Sequence, residues 1–216
     1  MRALLEDFAA GRRRRGISGR DAARRRSAAR TEGARPVALK TRARLIAAAA
    51  AGIAFAADQI SKFWIIDILG IEDRPPIRLT PFLDIVLAWN PGISYSLLRA
   101  ETPLGMLGLL ALAALAVGVL GAWLWTTTDR ATALALGMIM GGALGNALDR
   151  ARYGAVADFL HLHTTLPVGP LANYVFNIAD AAIVAGVAVL LYESVRPRPA
   201  NPPPDAAPTI RREWKG

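Results

Sequence analysis

Four stretches of this sequence are apolar over enough residues to cross a lipid bilayer, a task that takes about 20 mainly apolar residues each. They cover residues 45–66, 104–125, 131–148 and 175–192. Inside hydrocarbon every backbone N–H and C=O must be satisfied within the segment, so each stretch is expected to be a helix. The first is the most informative. Its charge-free part, residues 45–57, is too short to span, so this helix must carry Asp58, Gln59 and Lys62 near one end.

The distribution of charge sets the orientation. Of 26 Lys and Arg residues, 14 precede Leu45, five follow Tyr192 and only seven lie between. Basic flanks around an apolar body are what cytoplasmic ends look like under the positive-inside rule. Both termini are therefore expected in the cytoplasm, with residues 67–102 and 149–174 outside and the short 126–130 turn inside. The formal charge of +9 could suit nucleic acid, but its confinement to the flanks argues against that partner, and none is expected. The chain has no cysteine, which excludes a thiol nucleophile, a disulfide scaffold and a Cys-ligated metal.

The sequence divides into three parts. Residues 1–44 hold arginine runs at 12–15 and 24–26 without a sustained apolar stripe, and are expected to form a disordered cytoplasmic extension. Small residues near Ala54 and Ala57 raise the possibility of a cleaved secretory signal, but the basic region is too long and apolar sequence resumes after Asp58. Residues 45–195 form the membrane domain, and residues 196–216 are a Pro-rich, disordered tail. In the first outer segment, after the break at Pro75 and Pro76, residues 77–90 are rich in β-branched and aromatic side chains, and residues 85–89 read as a strand. Pro91 and Gly92 then turn the chain. A small sheet resting on the membrane surface is expected.

Ionisable groups in membrane helices are costly and tend to mark function. Four clusters fall at the outer ends of the spans. In the first, Asp58 and Lys62 are four residues apart with the acid first, the favourable order for a helical ion pair. Ser61 beside Lys62 raises a serine–lysine nucleophile, but adjacent helical side chains point roughly 100° apart. The second, from Asn90 to Ser96, reads as a turn. In the third, Gly137, Gly141 and Gly145 make a stripe that lets helices approach closely. Asn146 and Arg150 share a face, with Arg150 free to pair with Asp149 or to reach a carboxylate site. The fourth places Asn177 and Asp180 on one face of the last span, with Asp180 one to two turns below the surface. A second acid, Asp158, lies just beyond the third span, so two antiparallel neighbours bring both carboxylates to similar depth.

Two carboxylates in a poorly solvated place cannot both ionise easily, and the pair comes to share a proton. One member then takes a proton from water while the other polarises a scissile carbonyl. Such chemistry needs no cofactor and no metal. His161 and His163 could ligate a metal if they lie on a strand, but no further ligands cluster near them in the sequence, and interfacial histidines are the expectation.

These residues together resemble the lipoprotein signal peptidase (signal peptidase II) family. The likeness rests on Asp58-Gln59-x-Ser61-Lys62, then Asn90-x-Gly92-x-Ser94-Tyr95-Ser96, then Gly141-Gly142-x-x-Gly145-Asn146-x-x-Asp149-Arg150 with Gly154 and Asp158-Phe159, and finally Phe176-Asn177-x-Ala179-Asp180. The resemblance implies an all-α membrane protein with four transmembrane helices, a small extracytoplasmic sheet called the β-cradle and a short periplasmic helix, for which residues 96–102 are the candidate. It implies an aspartic endopeptidase of the bacterial inner membrane, acting at the outer face, with Asp158 and Asp180 as catalytic pair. Asp58, Asn90, Gly142, Asn146, Arg150, Asn177 and Ala179 are the implied supporting residues. The implied partner is a prolipoprotein whose lipobox cysteine carries a diacylglyceryl group, cut just before that cysteine among membrane lipids; a monomer is expected. The competing reading is a small proton- or ion-coupled transporter. Transporters usually place their charges near mid-bilayer in interrupted helices or repeats, whereas these charges gather at one face.

Overall fold

The computed structural model describes residues 19–92, 102–164 and 173–197. Four helices dominate: α1 (Gly19–Phe63), α2 (Pro103–Thr126), α3 (Arg130–Tyr153) and α4 (Ile178–Val195). The first ends in a π-helical turn, Trp64–Ile68, so that its membrane-length portion is Val37–Ile68. The helix thus begins at Gly19 and not near Leu45, which corrects the expectation of a disordered segment through residue 44. Alanine and arginine are both strong helix formers, and a nucleated span extends through such residues readily. Residues 1–18 and 198–216, which held the rest of the expected tails, lie outside the described residues, as do Ser94, Tyr95, Ser96 and the candidate lid helix up to residue 101.

Local sequence fixes the helix ends. The Thr102 hydroxyl accepts from the Gly105 N–H at 3.1 Å, with Pro103 at the first helical position, where its missing N–H costs nothing. Asp129 caps α3 by accepting from the Thr132 N–H at 2.7 Å. At the other end of α3, Gly154 takes a left-handed φ of 74° and turns the chain into the sheet, a conformation glycine adopts without steric penalty.

Helix α3 is the hub, packed against each of the other three. Its glycines explain the close approach. A Cβ on Gly137 would lie 2.3 Å from the Ala47 carbonyl oxygen, and one on Gly141 would lie 2.4 Å from that of Ala51. Small residues let the backbones of α1 and α3 touch, which substitutes for the hydrophobic drive that lipid does not supply between helices. Large apolar side chains such as Leu107, Leu115, Val119, Val184 and Leu191 face outward and are exposed, as lipid-facing residues are.

Four antiparallel strands form one sheet in the order β1 (Ile77–Thr80), β2 (Leu83–Asn90), β3 (Val156–His163) and β4 (Asn173–Phe176). Its first half lies where residues 77–90 led us to expect it. In the second half, Asp158, expected just beyond the third span, is on β3, and the expectation that the last span opens at residue 175 is corrected: Val175 and Phe176 belong to β4. Buried Ile65, Ile71 and Phe159, with Ile77, Ile85, Leu87 and Ile178 against them, seat the sheet on one end of the bundle. The fold is therefore the anticipated one of four membrane-length helices and a small sheet.

Candidate active site

Register brings β2 and β3 together at the site. Asn90 pairs with Val156 and Ala88 with Asp158, beyond a bulge between Ile85 and Ala88. Asn90 and Asp158 are thus diagonal neighbours on one face of the sheet, within reach across the strands. The Asn90 Nδ2 donates to Asp158 Oδ2 at 3.1 Å. Its own Oδ1 accepts from the Gly92 N–H at 3.1 Å and fixes the turn that follows.

Asp180 arrives from the other side. Asn177 is the N-cap of α4: its Oδ1 accepts from the Asp180 N–H at 2.9 Å, while Asp180 Oδ2 accepts from the Asn177 N–H at 3.3 Å, a reciprocal capping box. Asp180 is therefore in the first turn of α4, at the end of the helix that meets the sheet. The same Asn177 turns its Nδ2 to Asp158 Oδ1 at 2.7 Å and to Asn146 Oδ1 at 3.1 Å. Asn146 in turn donates to Asp180 Oδ1 at 2.9 Å. Every described bond to the two carboxylates is one in which the carboxylate accepts, and three asparagines supply the side-chain donors.

Asp158 is only 4% exposed. Burial, and then the nearby Asp180 charge, push its carboxyl up from 3.8 to about 6, against the Asn90 and Asn177 hydrogen bonds and the Lys62 charge that hold it down. Both aspartates line one cavity of about 230 Å³ with Asn90, Asn146 and Arg150 on its polar side. Leu109, Leu112 and Ala116 of α2 and Ile183 of α4 give it an apolar wall.

The remaining expected residues hold these parts in place. Gly142 meets α4, where a Cβ would lie 2.5 Å from the Ala179 carbonyl oxygen. Ala179 is fully buried, and its backbone N–H donates to Asp58 Oδ1 at 3.0 Å. Asp58 therefore supports α4 and has no described bond to Asp158 or Asp180. Arg150 does not pair with Asp149: its Nη2 donates to the Gly92 carbonyl at 2.7 Å and its Nη1 to that of Asn146 at 3.2 Å.

The ion pair expected of Lys62 is present, with Nζ 2.7 Å from Asp58, but a second carboxylate, Asp149, stands at the same distance. Gln59 also reaches Asp149, at 3.0 Å. Sequence reasoning missed both of these contacts. They join residues about ninety positions apart, and only the charged character of the first span hinted that something must meet it. Ser61 donates to the Asp58 carbonyl at 2.7 Å, so it and Lys62 do not form a nucleophile and its base. His161 and His163 lie on β3, His161 bonded to Asn173 and His163 with its Nε2 3.1 Å from Asp84 Oδ2.

The family model for signal peptidase (SPase) II matches residues 50–196. A lipoprotein signal peptidase of Methylocella silvestris is 56% identical over 152 residues, covering 70% of this chain and 86% of that one. Those of Beijerinckia indica subsp. indica and Nitrobacter hamburgensis are 49% and 47% identical, each over 76% of this chain and covering 96% and 98% of their own. Two solved structures described as bacterial membrane enzymes share the fold, with TM-scores of 0.59 and 0.58 at 21% and 24% identity. They cover 72% and 69% of this chain and 94% and 92% of theirs. Together these define a membrane-embedded peptidase of bacterial type. The chain belongs to the signal peptidase II family, whose work is lipoprotein processing, and nothing in these likenesses favours the transporter reading.

Proposed function

We propose that this protein is an aspartic endopeptidase of the bacterial inner membrane that removes signal peptides from prolipoproteins, with Asp158 and Asp180 as the catalytic pair. The observation that carries the reading is the double engagement of Asn177. One side chain holds Asp158 through its nitrogen at 2.7 Å and caps the helix bearing Asp180 through its oxygen at 2.9 Å. Two acids from different elements are thereby fixed at one small, half-polar cavity.

The pair shares one proton. The ionised member takes a proton from water as the water oxygen bonds to the scissile carbonyl carbon, and the protonated member donates to the carbonyl oxygen. As the tetrahedral intermediate collapses, one of its hydroxyls returns a proton to the ionised acid, the C–N bond breaks, and the leaving nitrogen takes a proton from the other acid, which restores the singly protonated pair. Arg150 and Asn90 hold the Gly92 turn beside the cavity; Asn146 and Asn177 orient the acids; Asp58, Ala179 and Gly142 set the position of α4. The apolar wall from α2 and α4 suits a substrate held in lipid, namely a lipobox segment whose cysteine carries a diacylglyceryl group.

The basic flanks favour both termini in the cytoplasm, with the sheet and the catalytic pair at the outer face. Nothing in this chemistry requires a second copy, which favours a monomer. The test is cleavage of a lipidated prolipoprotein by the purified enzyme in detergent. Asp158→Asn and Asp180→Asn should each abolish cleavage while the protein stays folded, an unlipidated substrate should be cut poorly, and chelators should have no effect. Near-normal cleavage by either variant would end the assignment.

A further inference from the structure

Two backbone hydrogen bonds outside the catalytic pair share an unexpected placement. The Ala157 N–H donates to Asp149 Oδ2 at 3.2 Å, and the Ala179 N–H donates to Asp58 Oδ1 at 3.0 Å. Each of these N–H groups belongs to the residue immediately before a catalytic aspartate, Asp158 in one case and Asp180 in the other.

The two receiving carboxylates are joined twice by α1. Lys62 Nζ is 2.7 Å from Asp58 and 2.7 Å from Asp149. Gln59 Nε2 is 3.1 Å from Asp58 Oδ2 and 3.0 Å from Asp149 Oδ1. A third arm runs from Lys62 to Asn146 Oδ1 at 3.3 Å. An ammonium can only donate, so the Asn146 oxygen must face Lys62, which leaves the Asn146 amide nitrogen for Asp180. The cluster is deeply buried, with Asp58, Asp149 and Lys62 at 0%, 1% and 4% exposure. Well-packed apolar residues would hold three elements together as well as such an ion cluster does, often better. Cohesion alone therefore does not account for it.

We propose that Lys62, seconded by Gln59, is a positioning residue that registers the two catalytic aspartates against each other by fixing the backbone just before each. The inference rests on the aspartic-pair reading above. One end of the brace sets the start of β3, the other sets the first turn of α4, and the third arm sets which atom of Asn146 meets Asp180. A shift of either strand or helix start would carry an aspartate with it, because the tethered N–H and the acid are consecutive residues.

The experiment is steady-state cleavage of a lipidated prolipoprotein across pH, using the full-length enzyme in detergent and the variants Lys62→Met, Lys62→Arg and Gln59→Leu. Misplacing reacting groups by about an ångström can cost on the order of 100-fold, so Lys62→Met should lower kcat by about that factor with KM nearly unchanged. It should also move the alkaline limb of the profile upward. Asp180 raises the Asp158 carboxyl, the Asn90 and Asn177 hydrogen bonds and the Lys62 charge hold it down, and the Arg150 guanidinium faces the same acids. Lys62→Arg should keep the limb in place. Gln59→Leu carries no charge change and should lower kcat about tenfold without moving the limb.

A folded Lys62→Met enzyme with near-normal kcat, or with reduced activity and an unmoved limb, overturns the proposal. If Lys62→Met does not fold, Gln59→Leu decides, and a normal kcat there overturns it equally. Asp158→Asn, run alongside, separates the two readings. Cleavage by that variant would sink the catalytic pair itself. An inactive Asp158→Asn beside a near-normal Lys62→Met would sink only the brace.

Discussion

Gly142 lies so close to Ala179 that a methyl group on it would sit 2.5 Å from the Ala179 carbonyl oxygen. That contact sets how near α4 comes to α3, and Asp180 is the next residue after Ala179. Gly142→Ala should push the first turn of α4 outward. The expected result is a kcat loss of about 100-fold and a stability loss of about 1–3 kcal/mol. Kinetics and thermal unfolding in the same detergent check both.

Gly137→Ala provides the contrast. A Cβ there would lie 2.3 Å from the Ala47 oxygen, on the α1 side of α3 and well away from the cavity. It should destabilise by a similar ~1–3 kcal/mol yet leave kcat per folded molecule unchanged. Active-site titration with a tight-binding inhibitor would supply the folded fraction. A large kcat defect would show that the two glycine contacts are not separable.

Asn177 both caps α4 and bonds Asp158, and the two roles can be parted. Serine is as good an N-cap as asparagine but lacks the nitrogen that reaches Asp158. Asn177→Ser should therefore keep its unfolding temperature close to that of the wild type while losing about 10- to 100-fold in kcat. Asn177→Ala should lose both. Equal stability losses in the two variants would refute the division.

The Asp158 carboxyl stands at about 6 in the folded protein against 3.8 when unperturbed. The folded state therefore holds this proton more tightly than the unfolded chain does. Its contribution to stability is full below pH 3.8 and is lost as pH rises through about 6. Asp158→Asn should remove that loss, so the variant should unfold at a higher temperature than the wild type above this window. Activity needs one shared proton, so it should fall on the alkaline side as the pair gives it up. Asn90→Ala removes a bond that holds the Asp158 carboxyl down, and should carry the alkaline limb to higher pH.

Hydropathy alone predicted the four spans, because a bilayer imposes length and apolarity that few other environments require. Two acids of the site were legible for a related reason: Asp58 and Asp180 stand in membrane-length helices, where an unpartnered charge would be expensive. Strand β3 was hidden, although the alternation of Leu160, His161, Leu162 and His163 has the period of a strand. Its first residues follow α3 after a single glycine turn and read as a helix end. Val175 and Phe176 read as part of the last span because a short apolar strand abutting an apolar helix leaves no break in hydropathy. The Asp149 contacts had no local signature, since they depend on β3 and α1 both meeting the end of α3. The start of α1 was missed because arginine-rich sequence looks equally like a solvated tail.

The seating of the sheet on the helices has a practical corollary. Asp158 belongs to the sheet and Asp180 to the bundle, so the proposed active centre is a seam between two bodies and not a pocket within one. An agent that wedged under the strands near Ile65, Ile71 and Phe159 would draw the acids apart while touching neither. Inhibitors of that kind would not compete with substrate, and resistance to them would arise in apolar residues and not in the acids.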